Sequence, residues 1–243
     1  MKRLSDYTPA RVALGLTGDS LPTQPLLNFR LAHARARDAV HFPLDSFSLT
    51  EEMAQRNWCS HVIQSAAYNR QEYILRPDKG RLLDEASANK VAGLSGARAL
   101  VFVVADGLSA LAVHRHAVPL LAAVFERLVF RPEEPNPIWI VHQGRVAIGD
   151  HIGGLLTAAL SIVIVGERPG LSTPDSLGVY ITWQPRLGRT DSERNCISNI
   201  HDQGLSYELA AGRLVYFINE SQRRKLTGTR LKEPATRSLV ENY

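Results

Sequence analysis

The strongest pattern along the chain is a set of short apolar runs separated by stretches with helical spacing. Leu100-Val101-Phe102-Val103-Val104, Ile138-Trp139-Ile140-Val141 and Ile162-Val163-Ile164-Val165 are nearly continuous and rich in β-branched residues. Runs of this length, bounded by Gly and Pro, predict strands buried on both faces. Ala110 to Phe130 and residues 150–159 read as the intervening helices, with Pro119 expected to kink or divide the first. Pro132, Pro135 and Pro137 read as a rigid turn before the second strand. Strand, helix, strand, helix, strand at this spacing predicts βαβ units, a parallel sheet and right-handed crossovers. A further apolar run, Val179-Tyr180-Ile181-Thr182-Trp183, follows, and Ser206 to Leu226 reads as a final amphipathic helix.

The N-terminal part is patterned differently. Residues 1–20 are polar and turn-rich, an extended arm. Thr23 reads as an N-cap for a helix from Pro25 to Val40 whose apolar stripe (Leu27, Leu31, Ala34) is narrow. A narrow stripe points to packing outside the helix's own core, against another subunit. Residues 49–67 read as a second helix capped by Thr50, with Cys59 inside it as a small core residue. Residues 73–81 read as a short strand running into a Pro/Gly turn, and 82–91 as a helix. The loop at 93–96 then marks a border, giving 1–95 as arm and helical region, 96–226 as the sheet domain and 227–243 as a polar, loosely ordered tail.

Ligands of open α/β sheets sit at the carboxyl ends of the strands. The predicted rim collects Asp106 to Ser109, residues 142–146, 166–172 and 184–199. Residues 161–200 thus read as strand, ligand-facing loop, strand, ligand-facing loop. Glu167, in Gly166-Glu167-Arg168-Pro169-Gly170, leaves its strand at the end, where a carboxylate accepts hydrogen bonds from a ligand's amides or pairs with a surface Arg. Asp106 and Ser109 read equally as ligand contacts or as turn and cap residues. Cys196 reads better as a small pocket-wall residue than as a nucleophile, which would need an adjacent base or helix N-terminus.

Composition narrows the function classes. The 243 residues are 44% hydrophobic and 21% charged, ordinary for a globular chain with a real core. A net charge of +4 is dispersed except at Arg223-Arg224-Lys225, read as the basic last turn of a helix, so nucleic acid is not expected. No apolar run approaches the roughly 20 residues of a membrane span, and the first residues are not patterned as a secretory signal. Two cysteines without CxxC spacing make neither a disulfide framework nor a zinc site, which fits a reducing cytoplasmic location. His114 and His116 diverge by about 200° on a helix. The other histidines named by position, His41, His61, His142, His151 and His201, have no ligand-spaced partners, so no protein-built metal site is expected. Neither G-x-G-x-x-G, G-x-x-x-x-G-K-[ST] nor G-x-S-x-G occurs, and no catalytic triad is evident.

Several stretches taken together carry a resemblance. They are Arg11-Val12-Ala13-Leu14-Gly15 with Leu21-Pro22-Thr23, Leu31-Ala32-His33-Ala34-Arg35-Ala36-Arg37-Asp38, Arg76-Pro77-Asp78 with Gly80-Arg81, Ala105-Asp106-Gly107-Leu108-Ser109, Gly144-Arg145-Val146, Gly166-Glu167-Arg168-Pro169-Gly170-Leu171 and Cys196-Ile197-Ser198-Asn199-Ile200. In order and spacing this set resembles the small (light) subunit of ethanolamine ammonia-lyase across nearly the whole chain. The resemblance implies an α/β fold with a Rossmann-like, mostly parallel sheet and an N-terminal helical extension. It implies a lyase that converts ethanolamine to acetaldehyde and ammonia with adenosylcobalamin. A TIM-barrel large subunit would supply the substrate-binding residues, and this chain would cover the cofactor at the interface without catalytic residues of its own. The family's cobalamin contacts fall here on Val146, Glu167 and Cys196. The absence of D-x-H-x-x-G implies that cobalt keeps its own nucleotide base. Some members carry a longer N-terminal extension linked to bacterial microcompartments, whereas this sequence starts almost at the core motif, so packaging stays open. The residues alone also leave open a Rossmann-like small-molecule binding or regulatory module without lyase activity, and a purely structural subunit.

Overall fold

β1 (Ser60–Gln64), β2 (Arg98–Ala105), β3 (Ile138–His142), β4 (Ala158–Gly166), β5 (Leu177–Trp183) and β6 (Arg194–Ile200) form one sheet in the order β1-β3-β2-β4-β5-β6. This is a computed structural model describing residues 11–233 except 95, 129, 131, 134 and 135. Residues 1–10 of the expected arm, Pro135 and residues 234–243 of the expected tail lie outside the described residues.

β1, β3, β2 and β4 run parallel, while β5 returns antiparallel along β4 and β6 antiparallel along β5. The sheet is therefore mixed, which corrects the mostly parallel, Rossmann-like expectation. The reason lies in residues 167–176, which are too few for the crossover of a dozen or more residues that a parallel neighbour requires. A second correction follows. Residues 184–193 emerge at the opposite end of the sheet from 167–176, so they are not on the shared rim. A third concerns residues 194–200, which are a strand and not a loop.

Helices α5 (Ala110–Arg127) and α7 (Tyr207–Arg224) cover one face with α2 (Ser46–Ala54), burying Phe102, Val104, Ile140, Ile162, Ile164 and Ile181. α4 (Glu85–Gly93) and α6 (Ile148–Leu155) cover the other, over Val101, Val103, Trp139, Val141, Val163 and Val165. Alternate residues of each strand thus enter opposite apolar clusters, as the strand period of two demands. α5 runs unbroken through Pro119. α1 (Thr23–His41) starts after Pro22 without a side-chain cap, and Ala39 is its one residue classed as buried.

Residues 49–67 are not one helix. Asp45, not Thr50, caps α2 by accepting from Ser48 N at 3.1 Å, and the helix stops before Asn57, which takes a left-handed φ of 60°. Val62 and Ile63 then pair with Ile140 and Val141 of β3, so long-range pairing overrides local helical spacing. Cys59 precedes that strand. The strand expected at Tyr73 is the short helix α3 (Arg70–Leu75), capped by Asn69 accepting from Glu72 N at 2.9 Å. The sheet thus draws its edge strand from before the 93–96 loop. The free side of β1 is held by its own chain, with Ser87 Oγ accepting from Gln64 N at 2.9 Å and Lys90 Nζ donating to Val62 O at 3.2 Å. Loose order does not extend to 227–231, where Asn195 Nδ2 donates to Leu231 O at 2.8 Å and Leu231 is buried.

Two glycines show how tightly the β2 and β4 ends meet. A Cβ on Gly107, whose φ is +57°, would lie 2.2 Å from Gly166 O and 2.4 Å from Val165 Cγ2. In Gly107→Ala we expect a loss of about 3 kcal/mol or more by urea denaturation, from steric overlap added to an unfavourable backbone conformation. Gly212→Ala, in α7 with nothing within 4 Å of the added Cβ, should be neutral or stabilising by up to about 1 kcal/mol.

Candidate functional site

Beyond α6, the sheet face formed by β5 and β6 carries a polar strip. Along β5, Val179 and Ile181 point into the core, whereas Gly178, Tyr180 and Thr182 share the other face. Tyr180 pairs with Cys196 and Thr182 with Arg194. Cys196 and Ser198 are exposed, and Tyr180 is half-buried against the same apolar cluster as Val146.

Glu167 sits at the rim end of this strip. Between the pairs Leu177–Ile200 and Val179–Ile197, β5 has one residue and β6 has two, Ser198 and Asn199. This bulge, with Asn199 at φ 63°, turns the Asn199 N–H onto Glu167 Oε2 at 3.2 Å. Ser176 Oγ donates to the same oxygen at 2.7 Å. Both bonds end on Oε2. Oε1 lies over Gly178, where an added Cβ would come within 3.0 Å of it. The carboxylate is therefore held by one oxygen and offers the other to the strip.

Glu167 and Cys196 interact electrostatically, and Tyr180 shares a hydrogen bond with the Cys196 thiol. Although the residue is exposed, burial around its sulfur pushes the thiol pKa up, and the Glu167 charge pushes the same way against the Tyr180 bond. A raised pKa disfavours the thiolate, the form a nucleophile would need. Burial also raises the Tyr180 hydroxyl, keeping it neutral.

Val146 belongs to the loop entering α6, and that loop is fixed from two sides. Asp106, 2% exposed, accepts from Gln143 N at 2.9 Å and Gly144 N at 3.0 Å. The guanidinium groups of Arg70 and Arg145 both lie over the Tyr73 ring, at 4.7 Å and 4.4 Å from its centroid. Arg145 N also donates to Gly80 O at 2.8 Å, and a Cβ on Gly80 would come within 3.0 Å of Arg145 Cγ. Gly80 of the Arg-Pro-Asp-x-Gly-Arg stretch thus buttresses the Gly-Arg-Val loop. Ser109 caps α5 by accepting from Ala112 N at 3.2 Å and donates to Pro174 O at 3.1 Å, so Asp106 and Ser109 act here as turn, cap and brace.

The family model for the ethanolamine ammonia-lyase light chain matches residues 1–232. The chain belongs to that family. It is similar to proteins named ethanolamine ammonia-lyase small subunit from three pseudomonads. One from Pseudomonas aeruginosa UCBPP-PA14 is 51% identical over 242 residues, covering 98% of this chain and 89% of that protein. One from Pseudomonas fluorescens Pf-5 is 50% identical over 236 residues, covering 96% and 86%. One from Pseudomonas putida W619 is 49% identical over 243 residues, covering 98% and 89%.

Sequence reasoning missed Tyr180, Ser176, the Asn199 bulge and a buried Asp150–Arg194 pair. A signal for the strip was present in Gly178-Val179-Tyr180-Ile181-Thr182, where every second residue is apolar and those between are not. His114 and His116 do diverge, with His114 Nε2 accepting from Asp45 N at 2.9 Å and His116 Nδ1 facing Tyr207 Oη at 2.7 Å. Among the described residues, no three His, Cys, Asp or Glu side chains are grouped to hold a metal ion, and no helix is long and apolar enough to cross a membrane.

Burial pushes the Asp106 carboxyl up to about 6 from an ordinary 3.8, against the Gln143 and Gly144 N–H groups and Arg70. Protonation is therefore easier in the folded chain than in the unfolded one. The resulting stabilisation is present in full below the unfolded pKa and is lost as pH rises through about 6. Relative to Asp106→Asn, which does not titrate, the wild-type chain should gain up to about 3 kcal/mol as pH falls from about 7 to about 4. Urea denaturation of both across that range checks this.

Proposed function

We propose that this chain is the cofactor-holding small subunit of an adenosylcobalamin-dependent ethanolamine ammonia-lyase, which converts ethanolamine to acetaldehyde and ammonia. The observation that carries the reading is the Glu167 carboxylate, held through Oε2 by Ser176 and Asn199 and facing an open sheet strip with Tyr180 and Cys196. Corrin is broad, apolar at its ring edge and fringed with amides. The residues present fit such a ligand. Val146 supplies apolar contact on the α6 side, Glu167 Oε1 accepts from an amide N–H, and Cys196 is small enough to form a close wall. When bound, adenosylcobalamin supplies the radical chemistry through its Co–C bond. This chain's residues bind and orient the cofactor and shield one side of it from water. None of them is assigned a proton transfer.

The other side is covered, on this reading, by a TIM-barrel large subunit that provides the substrate-binding residues. A family whose members are named small subunits supports a larger partner. Contact with it is proposed to lie in residues 1–95, with α1 as the leading surface. Only Ala39 of this 19-residue helix is classed as buried, while Leu27 and Leu31 are each 51% exposed. Exposed leucines on a helix of this length point to a protein interface.

Glu167→Ala should weaken cobalamin binding by the two-subunit complex about tenfold, the loss of one hydrogen bond to a charged acceptor. Absorbance titration reads this, and an unaltered affinity would overturn the role of Glu167. Leu27→Arg with Leu31→Arg should abolish co-purification with the large subunit. Its unfolding temperature should stay within a few degrees of wild type, because surface changes away from special contacts shift stability by about 0.5 kcal/mol or less.

A further inference from the structure

At the closed end of the strip is a buried ion pair for which the function above has no use. Arg194 and Asp150 are 2% and 3% exposed, with Nη2 and Oδ2 2.6 Å apart. The pairing is bidentate, the second contact joining Nη1 to Oδ1 at 2.7 Å. The rest of the guanidinium is also engaged. Nη1 donates to Thr182 Oγ1 at 3.0 Å, Nη2 to Arg189 O at 3.0 Å and Nε to Asp191 Oδ1 at 3.4 Å. Buried pairs of this kind are poor stabilisers, since well-packed apolar residues often do as well or better. What such a pair does supply is a fixed geometry.

That geometry joins the two walls of the strip. Arg194 lies two residues before Cys196 on the same face of β6, and Asp150 four residues after Val146, in the first turn of α6. The depth of α6 on the sheet is set separately. A Cβ on Gly149 would lie 2.3 Å from Val163 Cγ2, and one on Gly153 2.3 Å from Pro185 Cγ, so the helix sits flush on β4 and the loop beyond β5. With its depth set by the glycines, α6 is tied laterally to β6 by the Asp150–Arg194 pair, which bridges across Thr182 of β5.

We propose that Asp150 and Arg194 are positioning residues that fix the span between Val146 and Cys196, and with it the width of the face that holds the cofactor. The proposal rests on the strip being the cobalamin face. Its test uses the complex with the large subunit, measuring cobalamin affinity by absorbance titration and unfolding temperature side by side.

Asp150→Glu keeps the charge pair but lengthens the arm by one methylene. It should weaken cobalamin about tenfold while lowering the unfolding temperature no more than Leu120→Val does, because the geometry moves and the charge pairing does not. Asp150→Asn and Arg194→Lys should weaken it at least as much. Leu120→Val, in α5 on the opposite face, should lower the unfolding temperature and leave cobalamin affinity unchanged. Should Asp150→Glu not fold, Thr182→Val removes one Arg194 partner at constant size and takes its place, with the same expected split.

If affinity simply follows unfolding temperature across all variants, the pair is structural and the proposal falls. If Glu167→Ala weakens cobalamin binding and the Asp150 and Thr182 variants do not, the strip reading stands and the positioning role falls. If none of them changes affinity, both fall.

Discussion

Everything at the candidate site depends on β5 turning back antiparallel along β4. A parallel neighbour needs a crossover, and a crossover helix covers a sheet face. β1 to β4 obey that rule, with α4 and α6 on one side and α5 on the other. The return of β5 and then β6 through loops lets the sheet widen without burying the side that bears Tyr180 and Cys196. An exposed strip, continuous with a packed sheet, is the direct result. It is both rigid and accessible, a combination that a fully covered parallel sheet offers only at its rim.

The strip and the loop beside it are held by uncommon local features. Asn199 takes a left-handed backbone, and Gly178 leaves a gap in a strand. Asp106 is buried as a carboxyl whose ionised form is disfavoured. Each departure is matched by a bond or a contact, from Asn199 N to Glu167, from Glu167 over Gly178, and from the Gln143 and Gly144 N–H groups to Asp106. Such departures gather around the strip. The core beneath it follows ordinary strand alternation.

Much of this was legible in the sequence. The runs at 100–104, 138–141 and 162–165 are strands of the sheet, and the helices between them are α5 and α6. Strand direction was not legible from the run at 179–183, because an apolar run carries no polarity; only the shortness of 167–176 did. Val62 and Ile63 were hidden because a five-residue strand is too short to show alternation against a preceding helix, and their pairing with β3 is long-range. Tyr73-Ile74-Leu75 looked like a strand because its N-cap, Asn69, lies outside the apolar triplet. Glu167 was visible as a carboxylate at a strand end, but its partner Asn199 depends on a bulge, and the Asp150–Arg194 pair joins residues far apart in the chain. Neither can be read before the strands are in register.

The side-chain bonds along the free side of β1 have a consequence for assembly. Exposed strand edges invite another chain to add a strand, whether as a partner or as an aggregate. Here Ser87 and Lys90 occupy the main-chain groups of Gln64 and Val62 that an incoming strand would need. Growth by strand addition is blocked at that edge. At the β1 edge, association therefore falls to side-chain surfaces, where the fit of side chains selects the partner, and not to main-chain pairing, which any extended peptide can supply.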